Sequence, residues 1–360
     1  MNYKNPIKVL IIDDSSYNRR AISDFLKDLP QVVVVGKACD GQEGLQLAHR
    51  EKPDVITLDL EMPRLDGFSF LRLIMASRPT PVIVISSHSK KENVFKALEL
   101  GAFDFVAKPT SRISPEILEI KQDVIQKVLV AGNLRPGSLK RLSAITPSAS
   151  PVSNVFSCED QLEKTNRWET GTPRLIAIAA STGGPQAITQ ILSELPGDLQ
   201  AAIVIVQHMP SRFTTTFAQR LNRQCSLLIK ELYLEEQLQW GNVYIAPGDK
   251  DLTITCKEGI NSICAVNTDS SSRYCPSADR MFKSAAHCFL DKMMAVVLTG
   301  MGDDGAKGAE AVFASGGKVV VESPSTAVLD GMPRAAIETG IQLTEVSLNQ
   351  ISKQIIRFAQ

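Results

Sequence analysis

The residues best suited to chemistry stand where apolar runs stop. In Leu175-Ile-Ala-Ile-Ala-Ala-Ser181-Thr-Gly-Gly-Pro185, a run of small and branched apolar residues ends in a hydroxyl and two glycines. Such a run closed by Gly-Gly-Pro predicts a buried strand of a parallel sheet, then a helix with Pro185 in its first turn. Ser181 then lies at the carboxyl end of a strand, where open α/β sheets place their ligands. On this stretch alone three readings compete. Ser181 is a nucleophile, or the loop cradles a phosphate, or the serine caps the helix.

Two more reactive groups follow buried strands. His208 comes just after Ile203-Val-Ile-Val206, and Asp303 and Asp304 lie in Thr299-Gly-Met-Gly-Asp-Asp-Gly305 after Met294–Leu298. A serine attacks only with a neighbouring base, and the base needs an acid to hold its tautomer. Three such groups at one sheet edge favour a Ser-His-Asp triad. The pattern leaves open which aspartate is the acid. His287, inside an apparent helix, reads as structural. The main rival is a nucleotide site, because Gly300-Met-Gly302-Asp-Asp-Gly305 has the dinucleotide spacing and Glu322 ends the next strand. Two aspartates where a pyrophosphate would approach a helix N-terminus oppose it.

A second set of strand ends lies nearer the N-terminus. Asp13, Asp14, Asp59, Ser86 and Lys108 each follow an apolar run. In a parallel sheet these ends share one edge, so three carboxylates crowd together. A hard divalent cation such as Mg²⁺ relieves that repulsion, and Lys108 and Ser86 are placed to hold an incoming phosphoryl group. Solvated loop acids are the competing reading. Five matched strand ends outweigh it.

The elements that must position these groups form two α/β patterns. Strands at Lys8–Ile12, Val32–Val35, Val55–Leu58, Pro81–Ile85 and Phe103–Ala107 alternate with helices, the last from about Ser114, as in a doubly wound sheet. Residues 129–172 lose both periods and are expected to be a flexible linker between units at 1–128 and 173–360. The second unit is expected to be a doubly wound, mainly parallel α/β domain. It has the Ser181 strand and helix, a strand at Ala201–Val206, and shorter strands near Leu227–Glu231, Val243–Ala246, Leu252–Cys256 and Ile263–Val266. A helix over Ser277–Phe289, strands at Met294–Leu298 and Lys318–Val321 and two closing helices complete it.

Composition narrows the function classes. Apolar residues make up 44% of the 360, enough for two cores, and Lys+Arg and Asp+Glu are both 39. Residues 173–360 carry 16 basic against 18 acidic side chains, the wrong balance for a nucleic-acid-binding output domain. No apolar run approaches the ~20 residues of a membrane span, and Val9–Ile12 is too short for a signal-peptide core. Seven cysteines without a C-x-x-C pair are expected to be reduced thiols in a cytoplasmic protein.

The N-terminal motifs resemble the receiver domain of bacterial response regulators. Asp13-Asp14, Leu58-Asp59-Leu-Glu-Met-Pro63 with Asp66-Gly67, Ser86 and Ala107-Lys108-Pro109 carry that resemblance over about residues 6–128. It implies a flavodoxin-like, five-stranded parallel sheet, with Asp59 as phosphoacceptor and Asp13 and Asp14 joining it around Mg²⁺. Ser86 and Phe105 match the switch positions and Lys108 the phosphate-contacting lysine.

The C-terminal motifs resemble the CheB family of protein-glutamate methylesterases, which also deamidate glutamines. They are Ala180-Ser181-Thr-Gly-Gly-Pro185, Val206-Gln-His208-Met-Pro210, Tyr244-Ile-Ala-Pro-Gly-Asp249, Pro276-Ser-Ala-Asp279 with Ser284-Ala-Ala286, Leu298–Ala306 and Gly331-Met-Pro-Arg-Ala-Ala336. The resemblance implies Ser181 as nucleophile, His208 as base and Asp304 as acid. It also implies that Thr182 and Met301 shape the site and its oxyanion hole, with no esterase cofactor. The implied partners are methylated cytoplasmic domains of chemoreceptors and a histidine kinase as phosphodonor. The implied control is a receiver that covers the site until Asp59 is phosphorylated. Two positions depart from the family pattern: Cys275 stands where arginine is usual and Asp251 where histidine is common. A catalytically silent adaptor of the same fold is the alternative from another functional class.

Overall fold

The structure is a computed structural model that describes residues 6–86, 91–108, 119–134, 174–257, 259–268 and 272–360. The chain divides into two compact units, Met1–Ile145 and Thr146–Gln360. Residues 135–172 of the expected linker lie outside the described residues, as do Ser87 and Pro109.

The first unit runs β1 (Ile7–Ile12), α1 (Ser16–Leu26), β2 (Val32–Ala38), α2 (Gly41–Glu51), β3 (Val55–Leu58), α3 (Gly67–Ser77), β4 (Val82–Ser86), α4 (Lys91–Glu99), β5 (Asp104–Ala107) and α5 (Glu119–Gly132). Its five strands are all parallel in the order β2-β1-β3-β4-β5, the flavodoxin-like arrangement expected. The central strand β3 is buried at every position, which is why it reads as a continuous apolar run. Helix α5 extends into the segment expected as linker, with Val124, Val128 and Ala131 buried at helical spacing.

The second unit runs β6 (Arg174–Ala180), α6 (Gly184–Ser193), β7 (Ala201–Gln207), α7 (Ser211–Gln224), β8 (Leu228–Glu231), β9 (Glu236–Gln237), β10 (Asn242–Ile245), β11 (Lys250–Lys257), β12 (Ile260–Asn267) and α8 (Ala278–Phe289). It continues with β13 (Met293–Val297), α9 (Ala306–Ala314), β14 (Lys318–Glu322), α10 (Gly331–Glu338), β15 (Thr344–Val346) and α11 (Leu348–Ala359). Seven strands pair in the order β15-β14-β13-β6-β7-β10-β8, and every pairing in that sheet is parallel.

From β6 the chain adds strands first on the β7 side and later on the β13 side. The crevice at this reversal of direction is where doubly wound sheets bind ligands. Leu175, Ala177 and Ala179 of β6 join Met281, Phe282 and Ala285 of α8 in one buried cluster. Ile176 and Ile178 are buried as well, so both faces of the strand are covered.

The structure departs from the sequence expectations in three elements. Strands β11, β12 and β9 form a separate antiparallel sheet. Strand β15 adds an edge to the parallel sheet. Helix α7 was not expected, because Thr214-Thr-Thr216 suggests strand propensity and its polar residues obscure the period. Its inner face is carried by Phe213, Phe217, Ala218 and Leu221, all buried. Thr214 satisfies its hydroxyl on Ser211 O at 2.8 Å and on the Glu231 carboxylate. Replacing Phe213, which is fully buried, by alanine is expected to destabilise the second unit by about 3–5 kcal/mol, read as a lower urea midpoint at unchanged m-value.

Candidate active site and receiver acid cluster

Adjacent parallel strands β13, β6 and β7 deliver three loops to one place. Ser181 N donates to Thr299 O at 3.1 Å, and His208 N donates to Ala180 O at 3.0 Å. Ser181 and His208 are thus neighbours by sheet register. Gln207, buried at the end of β7, ties the two loops together. Its side-chain amide donates to Ser181 O at 2.9 Å and to His208 O at 3.1 Å. A Cβ at Gly184 would lie 2.1 Å from Gln207 Oε1, so the loop closes this tightly only with glycine there. Gly183 before it has φ of 79° and caps the N-terminus of α6.

His208 Nε2 lies 2.9 Å from Asp304 Oδ2. Asp304 is buried and sits against the first turn of α8. Its Oδ2 also accepts from Ala278 N at 2.7 Å, and its Oδ1 accepts from Asp279 N at 3.0 Å and Ser277 Oγ at 3.1 Å. Burial alone would push its carboxyl up. The hydrogen bond and charge of His208 and the backbone N–H groups outweigh that and hold it below the usual carboxylate range. The carboxylate is therefore an acceptor at neutral pH, so in the neutral imidazole the proton sits on Nε2, facing Asp304, and the lone pair on Nδ1.

Asp303 has a different environment. It is exposed and takes hydrogen bonds from Tyr274 Oη at 2.8 Å and Arg273 at 3.2 Å. Of the two aspartates, Asp304 and not Asp303 meets the imidazole. Thr182 and Met301 are half-buried on the loops after β6 and β13. Thr182 O accepts from Thr299 Oγ1 at 3.0 Å. His287 lies on the exposed side of α8, away from these contacts.

The features that suggested a nucleotide site have other occupants. The Asp279 carboxylate accepts from Gly305 N at 3.0 Å and Gly308 N at 2.7 Å, filling the N-terminus of α9 where a pyrophosphate would bind. Glu322, buried, accepts from Thr299 N at 2.9 Å and Thr326 Oγ1 at 3.1 Å. Of the two departures from the family pattern, Asp251 is fully buried and supports α8, accepting from Ser277 N and Arg280, each at 2.7 Å. Cys275 is exposed, with Thr268 Oγ1 at 2.7 Å from its sulfur. Gln207, Ser277 and Asp279 were not singled out as functional from the sequence. Their only signal there is membership of family motifs, Gln207 in that of His208 and Ser277 and Asp279 in Pro276-Ser-Ala-Asp279.

In the first unit the strand ends converge as expected. Carboxylate oxygens of Asp13, Asp14 and Asp59 lie within 4.8 Å of one another. Lys108 Nζ reaches Asp59 Oδ2 at 2.5 Å and Asp13 Oδ2 at 3.0 Å. Burial is the largest influence on Asp59 and raises its carboxyl. Lys108 opposes this, the Asp13 charge adds to it, and the net shift is upward. One ammonium among three acids leaves an excess of negative charge, which suits a hard divalent cation held by oxygen ligands. Ser86 closes β4 and Phe105 lies within β5, both buried. Lys127 donates to Phe105 O, lies 5.4 Å from its ring centroid, and pairs with Asp104 at 3.4 Å and Asp123 at 3.3 Å. Among the described residues, no helix is long and apolar enough to cross a membrane.

Comparison with known proteins agrees with this architecture. The family model described as CheB methylesterase matches residues 176–355, and that described as response regulator receiver domain matches residues 9–117. A Geobacter sulfurreducens protein named protein-glutamate methylesterase/protein-glutamine glutaminase 3 is 44% identical over 98% of this chain and 97% of its own length. Its namesake 1 from Myxococcus xanthus is 40% identical over 100% of this chain and 99% of its own. The crystal structure of the Thermotoga maritima CheB methylesterase catalytic domain aligns with a TM-score of 0.50 and 37% identity, covering 51% of this chain and 98% of that one. With a receiver fold in its first unit, His208 and Asp304 joined beside Ser181 in its second, and full-length relatives at this identity, the chain belongs to the CheB methylesterase family.

Proposed function

We propose that the chain is a phosphorylation-controlled protein-glutamate methylesterase acting on methylated cytoplasmic domains of chemoreceptors, and that it also deamidates receptor glutamines. The observation that carries the chemistry is the 2.9 Å contact between His208 Nε2 and the ionised Asp304, beside Ser181 on the adjacent strand. With Nε2–H engaged, Nδ1 of His208 takes the Ser181 proton as Oγ attacks the side-chain ester carbonyl. The same nitrogen then returns the proton to methanol as the tetrahedral intermediate collapses. Water enters next, His208 accepts its proton as the hydroxide adds, and then returns that proton to Oγ as it leaves the acyl group, giving free glutamate and the resting serine. Thr182 and Met301 shape the oxyanion site, where each donor is typically worth about 3 kcal/mol. Replacing the ester by a primary amide changes the leaving group to ammonia and the outcome to deamidation. No step in this scheme requires a metal in the second unit.

The first unit supplies control. Asp59 is the phosphoacceptor, with Asp13 and Asp14 completing the carboxylates that hold Mg²⁺. When bound, the ion neutralises the acid cluster and the incoming phosphoryl oxygens. Lys108 then holds the phosphoryl group, and Ser86 and Phe105 relay the change. A histidine kinase is the phosphodonor. The silent-adaptor alternative has no observation in its favour, whereas the His208–Asp304 contact is one that esterase chemistry needs.

Methanol release from methylated receptor membranes tests the chemistry. Ser181→Ala and His208→Ala are each expected to lower turnover by several orders of magnitude with circular dichroism unchanged. Asp304→Asn should come close to them, and Asp303→Asn should cost far less. Near-normal release by folded Ser181→Ala would exclude the serine as nucleophile.

Control is tested by comparing residues 173–360 with the full chain on the same substrate. If the receiver acts by relief of inhibition, the isolated segment works faster than the unphosphorylated full chain. Asp59→Asn then loses the response to a phosphodonor and Mg²⁺. A slower isolated segment would make the receiver an activator. A few kcal/mol of differential stabilisation is enough for such a switch.

A further inference from the structure

Asp304 restrains His208 at one nitrogen only. A single hydrogen bond limits where Nε2 points but leaves the imidazole some tilting motion about its two side-chain torsions. That motion would change where Nδ1 points. A flat surface against the ring removes this freedom, and Tyr274 supplies one. The two rings are parallel, with centroids 5.2 Å apart, within the range of offset stacking.

Tyr274 is itself held to the loop that carries the acid. Its hydroxyl donates to Asp303 Oδ1 at 2.8 Å and accepts from Asp303 N at 3.4 Å. Arg273 binds the same carboxylate oxygen at 3.2 Å, and its guanidinium carbon lies 5.1 Å from the Tyr274 ring centroid. Gly302, with φ of 92°, makes room for the phenol, since a Cβ there would lie 2.3 Å from Tyr274 Oη. Burial first, and then the bond to Asp303, push the phenol up, so the hydroxyl remains a donor at neutral pH. The ring therefore bridges the loop after β13 and the histidine after β7.

We propose that Tyr274 is a positioning residue for the esterase reaction: its ring, docked on Asp303 and Gly302, fixes the plane of His208 so that Nδ1 faces Ser181. Asp304 then sets the tautomer and the Tyr274 ring sets the plane, with Asp303 a secondary tether of that ring through its hydroxyl. This role rests on the esterase function proposed above.

The test uses the full-length phosphorylated protein, methylated receptor membranes as substrate, and Ser181→Ala as the blank. Tyr274→Leu removes the flat ring, whereas Tyr274→Phe keeps it. Tyr274→Leu is expected to lower kcat about tenfold with KM within about twofold, and Tyr274→Phe to stay within about threefold of wild type. In parallel, proton spectra of histidine-labelled protein follow the ring-current shift of the His208 carbon-bound protons. That shift is expected to vanish in Tyr274→Leu and persist in Tyr274→Phe. Unchanged kcat in Tyr274→Leu, a loss confined to KM, or an unmoved His208 signal would overturn the proposal. So would a fall in Tyr274→Phe as large as in Tyr274→Leu, which would assign the effect to the hydroxyl. If wild type matched the Ser181→Ala blank, the esterase function itself would fall. The His208 shift would still judge the stacking, and its absence in wild type would overturn the positioning role independently.

Discussion

The second unit depends on keeping one buried carboxylate charged. An ionised aspartate out of water is costly unless its oxygens are filled, and Asp304 meets that demand with three donors from the start of α8 and one from His208. Most of the local architecture follows from this requirement. Helix α8 must present its N-terminus to the loop after β13, so its inner face packs across β6 and β13. Asp251 fixes the position of that N-terminus by accepting from Ser277 N and Arg280. Asp279, one residue into the helix, reaches over to cap α9. Two helix N-termini thus neutralise two acids within a single cluster, and the helix dipoles favour both. The charge that orients His208 is paid for by donors that the fold had to satisfy in any case.

The strand ends were legible because burial on both faces leaves a continuous apolar run, and the first polar residue after it marks the sheet edge. Ser181, His208, Asp59 and Lys108 all stood out in this way. The family motifs point to Asp304, and Asp304 is the aspartate bonded to His208. Contacts made between distant segments were not legible. Nothing near Gln207 in sequence announces that its amide joins Ser181 O to His208 O. Nothing in Gly300–Gly305 reveals that Asp279 fills the anion position which its glycine spacing advertises. Helix α7 was missed for a local reason: three consecutive threonines and many polar residues mask Phe213, Phe217 and Leu221, whose spacing is plainly helical once the buried face is known. The edge strands β9 and β15 are too short to carry a period.

The first unit applies the opposite electrostatic logic. Around Asp304, donors exceed what one charge requires, and the carboxyl is held low. Around Asp59, burial raises the carboxyl first and the Asp13 charge adds to it, against the single ammonium of Lys108. An over-satisfied acid is a fixed structural charge, whereas an acid crowded by others gains from a nearby cation. The edge of a parallel sheet thus holds a bonded carboxylate in one unit and a crowded acid cluster in the other. The difference comes from what surrounds each strand end: the start of a helix for Asp304, two further acids for Asp59.

The central claim is that Asp304 holds His208 in the tautomer with Nε2 protonated and Nδ1 free for Ser181. The most direct measurement is the pair of ¹⁵N shifts of the His208 ring at neutral pH, assigned by comparison with His208→Gln. The account predicts a protonated, pyrrole-type Nε2 and a pyridine-type Nδ1 in wild type, with this preference lost in Asp304→Asn. A wild-type ring protonated on Nδ1 with a free Nε2, or a tautomer unaffected by Asp304→Asn, would contradict it.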